Sequence, residues 1–168
     1  HEDALRELNK VIDKTNELGL NIILDVNKKT LDTFKVPDNL YSLRLDYGFS
    51  VQDILKLANE PYLIELNASA ISIDEIKYLQ KQGLDLNQVR ISHNFYPKPY
   101  TGLTHEQVYE KNVALKKLGL QVMAYIPSQV GKRPPLQEGL PTVEKHRHQP
   151  LASILADMDS LLVDEVFF

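Results

Sequence analysis

Residues 43–67 read LRLDYGFSVQDILKLANEPYLIELN, and the fold class follows from this stretch. It begins and ends with short runs, at 43–48 and 62–67, in which apolar and polar residues alternate, the period of a half-buried β-strand. Between these runs, Ser50 and Asp53 have the spacing of a capping box, which begins a helix. The stretch therefore predicts a strand–helix–strand unit with two parallel strands.

The same pattern recurs along the chain. Four further strands are predicted, at 21–26, 89–94, 120–125 and 163–168. Apolar residues at helical spacing predict a helix over residues 2–18, and the following Gly19 suits a helix C-terminus. Six strands that alternate with helices predict an α/β protein with a parallel sheet.

Two architectures fit this alternation, an open doubly wound sheet and a (β/α)₈ TIM barrel. No glycine-rich turn follows the first strand, which weakens a nucleotide-binding open sheet. One face of the predicted strands is apolar. The other face is polar toward the carboxyl ends and carries Asp25, Arg44, Asp46, Glu65, Asn67, Arg90, Ser92 and Asn94. A sheet covered by helices on both sides would be apolar on both faces, so this pattern favours a barrel with its site at the C-terminal mouth.

The chain has 168 residues, fewer than the ~200 of the smallest complete barrels. We therefore expect residues 1–168 to form an incomplete TIM barrel of about six parallel strands that lacks roughly the first and the last strand. The edges of an open barrel favour association, so a homo-oligomer is an expected state.

Composition excludes several classes of function. Acidic residues outnumber basic ones by 23 to 19, which argues against a nucleic-acid partner. The chain has no cysteine and therefore no disulfide, cysteine-ligated zinc or thiol nucleophile. No apolar run approaches the ~20 residues of a membrane-spanning helix, so no membrane partner is expected.

Three carboxylates near the ends of successive strands are the first candidates for chemistry. If Asp46 and Glu65 share a layer of the sheet, they lie ~5 Å apart, and Asp25 lies at roughly twice that distance from Glu65. Paired carboxylates at such spacings are typical of glycosidases. Alternatively, Arg44 and Arg90 neutralise these groups in a polar layer, and the sequence leaves both interpretations open.

The loop over residues 92–104, SHNFYPKPYTGLT, offers polar and aromatic side chains after a strand. Asn94 and Tyr96 suit hydrogen bonding and stacking with a sugar. His93 suits a proton shuttle or a donor to substrate, or it packs at the strand end. Asn67 is either a substrate contact or a loop cap.

The long loop over residues 127–150 is rich in basic side chains. Arg133 and Arg147 suit a phosphate or carboxylate, although a solvated charged loop is the alternative. The pair His146 and His148 lacks a third ligand at metal-binding spacing, so no metal is expected.

Four motifs in this order resemble the MupG-type 6-phospho-N-acetylmuramidases. They are LRLDYGF (43–49), IELNAS (64–69), HNFYPKPYTGL (93–103) and EGLPTVEKHR (138–147). The resemblance extends from about residue 18 to the C-terminus. It implies a TIM-barrel glycosidase domain that is followed, in the family, by a smaller β-rich domain outside this chain.

The resemblance also implies a cytoplasmic enzyme of peptidoglycan recycling. Such an enzyme splits 6-phospho-N-acetylmuramyl-N-acetylglucosamine into N-acetylmuramic acid 6-phosphate and N-acetylglucosamine without a cofactor. Asp46 and Glu65 carry over as the reacting pair. The candidate substrate-binding residues are Asp25, Asn67, His93, Asn94, Tyr96, Arg133, Glu144 and Arg147.

Two other functions compete with this one. In a non-catalytic phosphosugar-binding barrel module, the carboxylates would only satisfy arginines. Aldolase or isomerase chemistry usually needs a lysine or metal ligands at a strand end, and the predicted strands have neither.

Overall fold

The computed structural model describes residues 2–37 and 39–168. The helices are α1 (Glu2–Glu17), α2 (Lys28–Leu31), α3 (Val51–Leu57), α4 (Ile73–Lys81), α5 (His105–Lys117) and α6 (Leu151–Ser160), and the strands are β1 (Ile23–Val26), β2 (Ser42–Leu45), β3 (Leu63–Asn67), β4 (Val89–Ser92), β5 (Gln121–Tyr125) and β6 (Glu165–Phe167). Short 3₁₀ helices occupy Leu86–Gln88 and Glu144–His146.

The sheet has the strand order of a TIM barrel. Its six strands follow the order β1-β2-β3-β4-β5-β6, with helices between them. Neighbouring strands pair in parallel. A (β/α)₈ barrel has this sequential parallel order with two more strands. The predicted fold class, an incomplete TIM barrel, is therefore confirmed.

The chain divides into two compact units. The first comprises His1–Leu66 and Glu75–Val89, and the second comprises Asn67–Asp74 and Arg90–Phe168. In the first unit, the parallel register pairs Leu24 with Leu43 and Leu43 with Ile64. Leu43 and Ile64 are completely buried, as predicted for the apolar face of the strands.

Side-chain caps mark where α2 and α3 of the first unit begin. The Ser50 side chain accepts a hydrogen bond from the Asp53 backbone, and the Asp53 carboxylate accepts one from the Ser50 backbone. This is the capping box that the sequence predicts before α3. Asn27 similarly caps α2 by accepting a hydrogen bond from the backbone N–H of Thr30. The four-residue helix α2 is the only helix that the described residues place between β1 and β2.

The core of the second unit lies between its strands and helices α5 and α6. Its buried cluster comprises Val108, Ala124, Ile126, Val143, Ile154, Met158 and Leu161. A capping box of Thr104 and Gln107 begins α5. The side chains of Ala124 and Ile126 belong to this core, so the alternate residue Tyr125 belongs to the opposite face of β5.

Strands β2 and β4 end earlier than the sequence predicts. β2 ends at Leu45 and β4 at Ser92, so Asp46 and His93 are the first residues beyond their strands. Each still makes one backbone bond to the neighbouring strand, from Asp46 N–H to the Val26 carbonyl and from His93 N–H to the Met123 carbonyl. Among the described residues, no helix has the length and apolarity needed to cross a bilayer.

Candidate active site

Three carboxylates of the first unit surround one buried guanidinium. Arg44 Nη1 lies 3.0 Å from Asp25 Oδ2 and 4.0 Å from Asp46 Oδ1, and Arg44 Nε lies 3.6 Å from Glu65 Oε1. Arg44 is only 5% exposed. A charge this deeply buried is stable only when opposite charges and hydrogen bonds replace its water. The cluster therefore depends on its arginine as much as on its acids.

The register of the strands determines the spacing of the carboxylates. Arg44 lies opposite Asp25 on one side and Glu65 on the other. Asp46, two residues beyond Arg44, therefore occupies the next layer toward the carboxyl ends. This offset places the Cα atoms of Asp46 and Glu65 ~8 Å apart. The separation of ~5 Å was expected only if the two residues shared a layer of the sheet, and they do not.

The three carboxylates differ in exposure. The side chain of Glu65 is 1% exposed, that of Asp46 39% and that of Asp25 54%. Partial burial raises the pKa of Asp25, and the nearby Asp46 carboxylate adds to the rise, while Arg44 opposes it. Asp25 and Asp46 are thus accessible from solvent, whereas Glu65 lies buried against Arg44.

Glu144 and Arg147 connect the loop over residues 93–103 with the loop over residues 138–147. Arg147 donates to both carboxylate oxygens of Glu144 at 2.7 Å and to the Tyr96 carbonyl at 3.0 Å. Glu144 in turn accepts from the backbone N–H groups of Tyr100 at 2.9 Å and Gly102 at 2.8 Å. A Cβ atom on residue 102 would approach the Glu144 Cα to 2.9 Å, which explains the glycine.

Arg147 is 4% exposed and its donors are directed at protein acceptors. The resemblance implies Arg147 and Glu144 as candidate substrate contacts, and that role stays a prediction. In the structure the two residues form a bidentate ion pair that connects the loops over residues 93–103 and 138–147. These hydrogen bonds replace the water that the buried Arg147 guanidinium has lost.

Glu144 makes the stability of this unit depend on pH. The hydrogen bond from Arg147 lowers the pKa of Glu144 from 4.5 to about 2, with further contributions from the N–H groups of Tyr100 and Gly102. A carboxyl whose pKa is lower in the folded chain stabilises the fold above its unfolded pKa. That stabilisation disappears as pH falls from about 4.5 to about 2.

We expect the Glu144→Gln substitution to lower the free energy of unfolding by about 3 kcal/mol at pH 7, the equivalent of this pKa shift. The two proteins should converge in stability as pH approaches 2. Urea unfolding between pH 2 and 7 measures both effects. Glu17→Gln is the control, because Glu17 contacts Lys14 at the exposed surface. A difference between wild type and Glu144→Gln that does not change with pH would contradict the assignment.

His93 is 1% exposed and packs against α5. Its Nε2 lies 2.7 Å from Asn112 Oδ1, and the Asn112 amide donates to the Leu161 carbonyl at 2.8 Å. That second bond fixes the amide, so His93 Nε2 carries the proton. Burial lowers the pKa of His93. Successive side chains point to opposite faces of a strand, so His93 points away from the face of Ser92 and toward α5. Its side chain does not reach the solvent. The predicted sugar contact by His93 therefore gains no support from its position.

Ser69 connects Asn67 and Asn94 through two hydrogen bonds. The Asn67 Oδ1 accepts from the Ser69 N–H at 3.0 Å, and the Ser69 Oγ accepts from the Asn94 N–H at 2.9 Å. Asn67 thus makes the hydrogen bond of a loop cap, while a substrate contact by Asn67 stays a prediction. The Asn94 carbonyl accepts from the Thr142 hydroxyl at 2.9 Å, which links this corner to the loop after β5.

An aromatic row follows the carboxyl ends of β4, β5 and β6, and the sequence analysis did not predict it. The ring centroids of Phe95 and Tyr125 are 5.1 Å apart, and those of Tyr125 and Phe167 are 5.4 Å apart. The exposed Arg133 holds its guanidinium carbon 6.0 Å from the Phe95 centroid. The position of Tyr125 at the end of a polar strand face was the one signal of this row in the sequence.

Arg90 and the histidines of the long loop are paired within the second unit. Arg90 Nη2 lies 2.6 Å from Glu165 Oε2, so this arginine neutralises a carboxylate that the sequence analysis did not assign to it. His146 Nε2 lies 2.5 Å from Asp157 Oδ2, whereas His148 Nε2 lies 3.6 Å from Glu138 Oε2. Within the described ranges, no three acidic, histidine or cysteine side chains form a metal-binding group.

Comparison with solved structures identifies two similar proteins. The first is a conserved protein of unknown function from Enterococcus faecalis, with 31% identity and a TM-score of 0.86 over 97% of this chain and 49% of its own. The second is an uncharacterized B. cereus protein, with 27% identity and a TM-score of 0.82 over 96% of this chain and 48% of its own. The chain thus spans about half the length of these proteins. No curated protein matches it.

The family model described as "6-phospho-N-acetylmuramidase, N-terminal" matches residues 1–168, the entire chain. This match agrees with the strand order and with the four motifs that carry the resemblance. The chain therefore belongs to the family of 6-phospho-N-acetylmuramidase N-terminal domains.

Proposed function

We propose that this chain is the barrel part of a glycoside hydrolase that cleaves 6-phospho-N-acetylmuramyl-N-acetylglucosamine. The products are N-acetylmuramic acid 6-phosphate and N-acetylglucosamine, and the reaction serves peptidoglycan recycling in the cytoplasm. The observation that carries the proposal is the carboxylate cluster around Arg44, in a chain whose family is named for this activity.

Asp46 and Glu65 are the proposed reacting pair. Glycoside hydrolysis needs one carboxyl group to protonate the leaving oxygen and a second to act as nucleophile or base. Either role requires access to the substrate. Asp46 meets this requirement, because its side chain is 39% exposed just beyond β2. Glu65 is buried beside Arg44, so the proposal requires it to act from the layer beneath Asp46.

A non-catalytic phosphosugar-binding module is the second candidate. The burial of Glu65 and the three ion pairs of Arg44 favour it, since these contacts would also occur in a purely structural polar layer. The two candidates differ in one outcome. An enzyme loses turnover when Asp46 is neutralised, whereas a binding module has no turnover to lose.

Hydrolysis of the phosphorylated disaccharide is the direct test. The complete gene product is incubated with 6-phospho-N-acetylmuramyl-N-acetylglucosamine and, in parallel, with the unphosphorylated disaccharide. We expect cleavage of the phosphorylated sugar and a loss of at least about 100-fold in kcat/KM without the phosphate, because a charge-assisted contact is absent. A folded protein that cleaves neither sugar would support the binding module instead.

The same assay with residues 1–168 alone tests whether this part suffices. Activity of the complete gene product without activity of residues 1–168 would indicate that residues outside this chain complete the site. Equal activity of both would assign the whole reaction to the barrel part.

A further inference from the structure

We propose that the aromatic row of Phe95, Tyr125 and Phe167 is a platform for a pyranose ring, and that Arg133 binds an anionic group on that ring. The identity of the sugar rests on the proposed function. The platform itself rests on the geometry of the second unit, where no residue of the proposed reacting pair lies.

The register of the strands creates the row. Tyr125 pairs with Phe167 across β5 and β6, one layer beyond Met123 and Glu165. The alternate residues Ala124 and Val166 pack with the helices, so Tyr125 and Phe167 share the opposite face. In a barrel, that face at the carboxyl ends of the strands is where substrates bind. All three aromatic residues are half-buried.

Phe95 connects the row to a cleft of about 370 Å³. Pro97, Pro135 and Leu140 provide apolar lining of this cleft. Arg133 also lines it and holds its guanidinium carbon 6.0 Å from the Phe95 centroid. The described residues provide no acidic partner for the Arg133 guanidinium within ion-pair distance. Glu138, which also lines the cleft, lies instead 3.6 Å from His148.

This combination matches an anionic sugar. The C–H groups of a pyranose ring pack on aromatic faces, while its hydroxyl groups remain in water. A guanidinium presents two parallel N–H donors to a phosphate or carboxylate. A muramyl 6-phosphate carries both kinds of anion, the phosphate and the lactyl carboxylate, and either one satisfies the requirement.

Calorimetric titration of the complete gene product tests the platform with four probes. They are N-acetylglucosamine, its 6-phosphate, N-acetylmuramic acid and its 6-phosphate. We expect Tyr125→Leu and Phe95→Leu to weaken binding of all four sugars about tenfold. Phe95→Tyr, which keeps an aromatic ring, should bind them with the affinity of the wild type. We expect Arg133→Gln to weaken the anionic sugars about tenfold or more and to leave N-acetylglucosamine unchanged.

Two variants outside the row serve as matched controls. Tyr109→Leu removes an exposed ring from α5, and Lys117→Gln removes an exposed cation from the same helix. Both should bind the four sugars like the wild type. Thermal unfolding of every variant distinguishes lost binding from lost folding. Arg133 is exposed, so its substitution should leave the core intact.

The outcomes separate this inference from the proposed function. Loss of affinity in Arg133→Gln for the 6-phosphates identifies the phosphate as the bound anion, and loss for N-acetylmuramic acid identifies the carboxylate; each supports the platform. Wild-type affinities in folded Phe95→Leu and Tyr125→Leu would overturn it, even if the disaccharide is hydrolysed. Conversely, platform-dependent binding without hydrolysis would overturn only the proposed function.

Discussion

Asp46→Asn is expected to lower kcat for the phosphorylated disaccharide by about 10³-fold, because an amide neither transfers the proton nor bears the charge that the reaction needs. The free energy of unfolding should change little, since the Asp46 side chain is 39% exposed and its Oδ1 lies 4.0 Å from Arg44 Nη1. Steady-state hydrolysis together with urea unfolding measures both quantities.

Glu65→Gln is expected to reduce kcat by a similar factor and, unlike Asp46→Asn, to destabilise the fold. Glu65 is 1% exposed, so neutralising it removes a buried partner of Arg44. The contrast between the two variants separates the chemical role of a carboxylate from its structural role.

The controls replace carboxylates of the same types on exposed helix surfaces. Asp159→Asn in α6 and Glu110→Gln in α5 should retain wild-type turnover. If Asp46→Asn and Glu65→Gln also retain full turnover in an active gene product, the carboxylate pair is not the catalytic pair.

The second large effect is expected from Arg44→Met. Methionine fills much of the same volume but leaves the buried Glu65 carboxylate without its neighbouring guanidinium. Removing one partner of a buried ion pair costs about 3–5 kcal/mol, and we expect a loss of that order in the free energy of unfolding. Urea unfolding at pH 7 provides the measurement.

A double-mutant cycle tests the cause of that loss. The variant Arg44→Met/Glu65→Gln should recover part of the stability, because it removes both buried charges together. Arg6→Met is the matched control, since the 66%-exposed Arg6 lies 3.9 Å from Glu7 at the surface and should cost less than about 0.5 kcal/mol. Additive losses in the cycle would show that Arg44 does not stabilise Glu65.

Local sequence sufficed to predict the fold because its signals are local. The alternation in β2 and β3 follows from successive side chains pointing to opposite faces of a strand. The capping boxes at Ser50 and Thr104 each involve residues three positions apart. These patterns identify parallel strands separated by helices, and together with the polar strand face they favoured the barrel over the open sheet.

The ends of the strands were predicted less well. Residues 43–48 were expected to form one strand, whereas β2 ends at Leu45. Backbone pairing ends where the neighbouring strand ends, which is a property of two segments rather than one. Asp46 consequently lies just beyond the ladder instead of within it.

The sequence by itself determined which residue types occupy the polar face of the strands: Asp25, Arg44, Asp46 and Glu65 in the first unit. Only the tertiary structure decided that Arg44, and not Asp46, lies opposite Glu65, since the register between strands depends on packing across the whole sheet. The same holds for the loops, where Arg147 contacts the Tyr96 carbonyl 51 positions away. Contacts between residues so far apart in the chain leave no periodic signal, and they form only when the elements that carry them have packed.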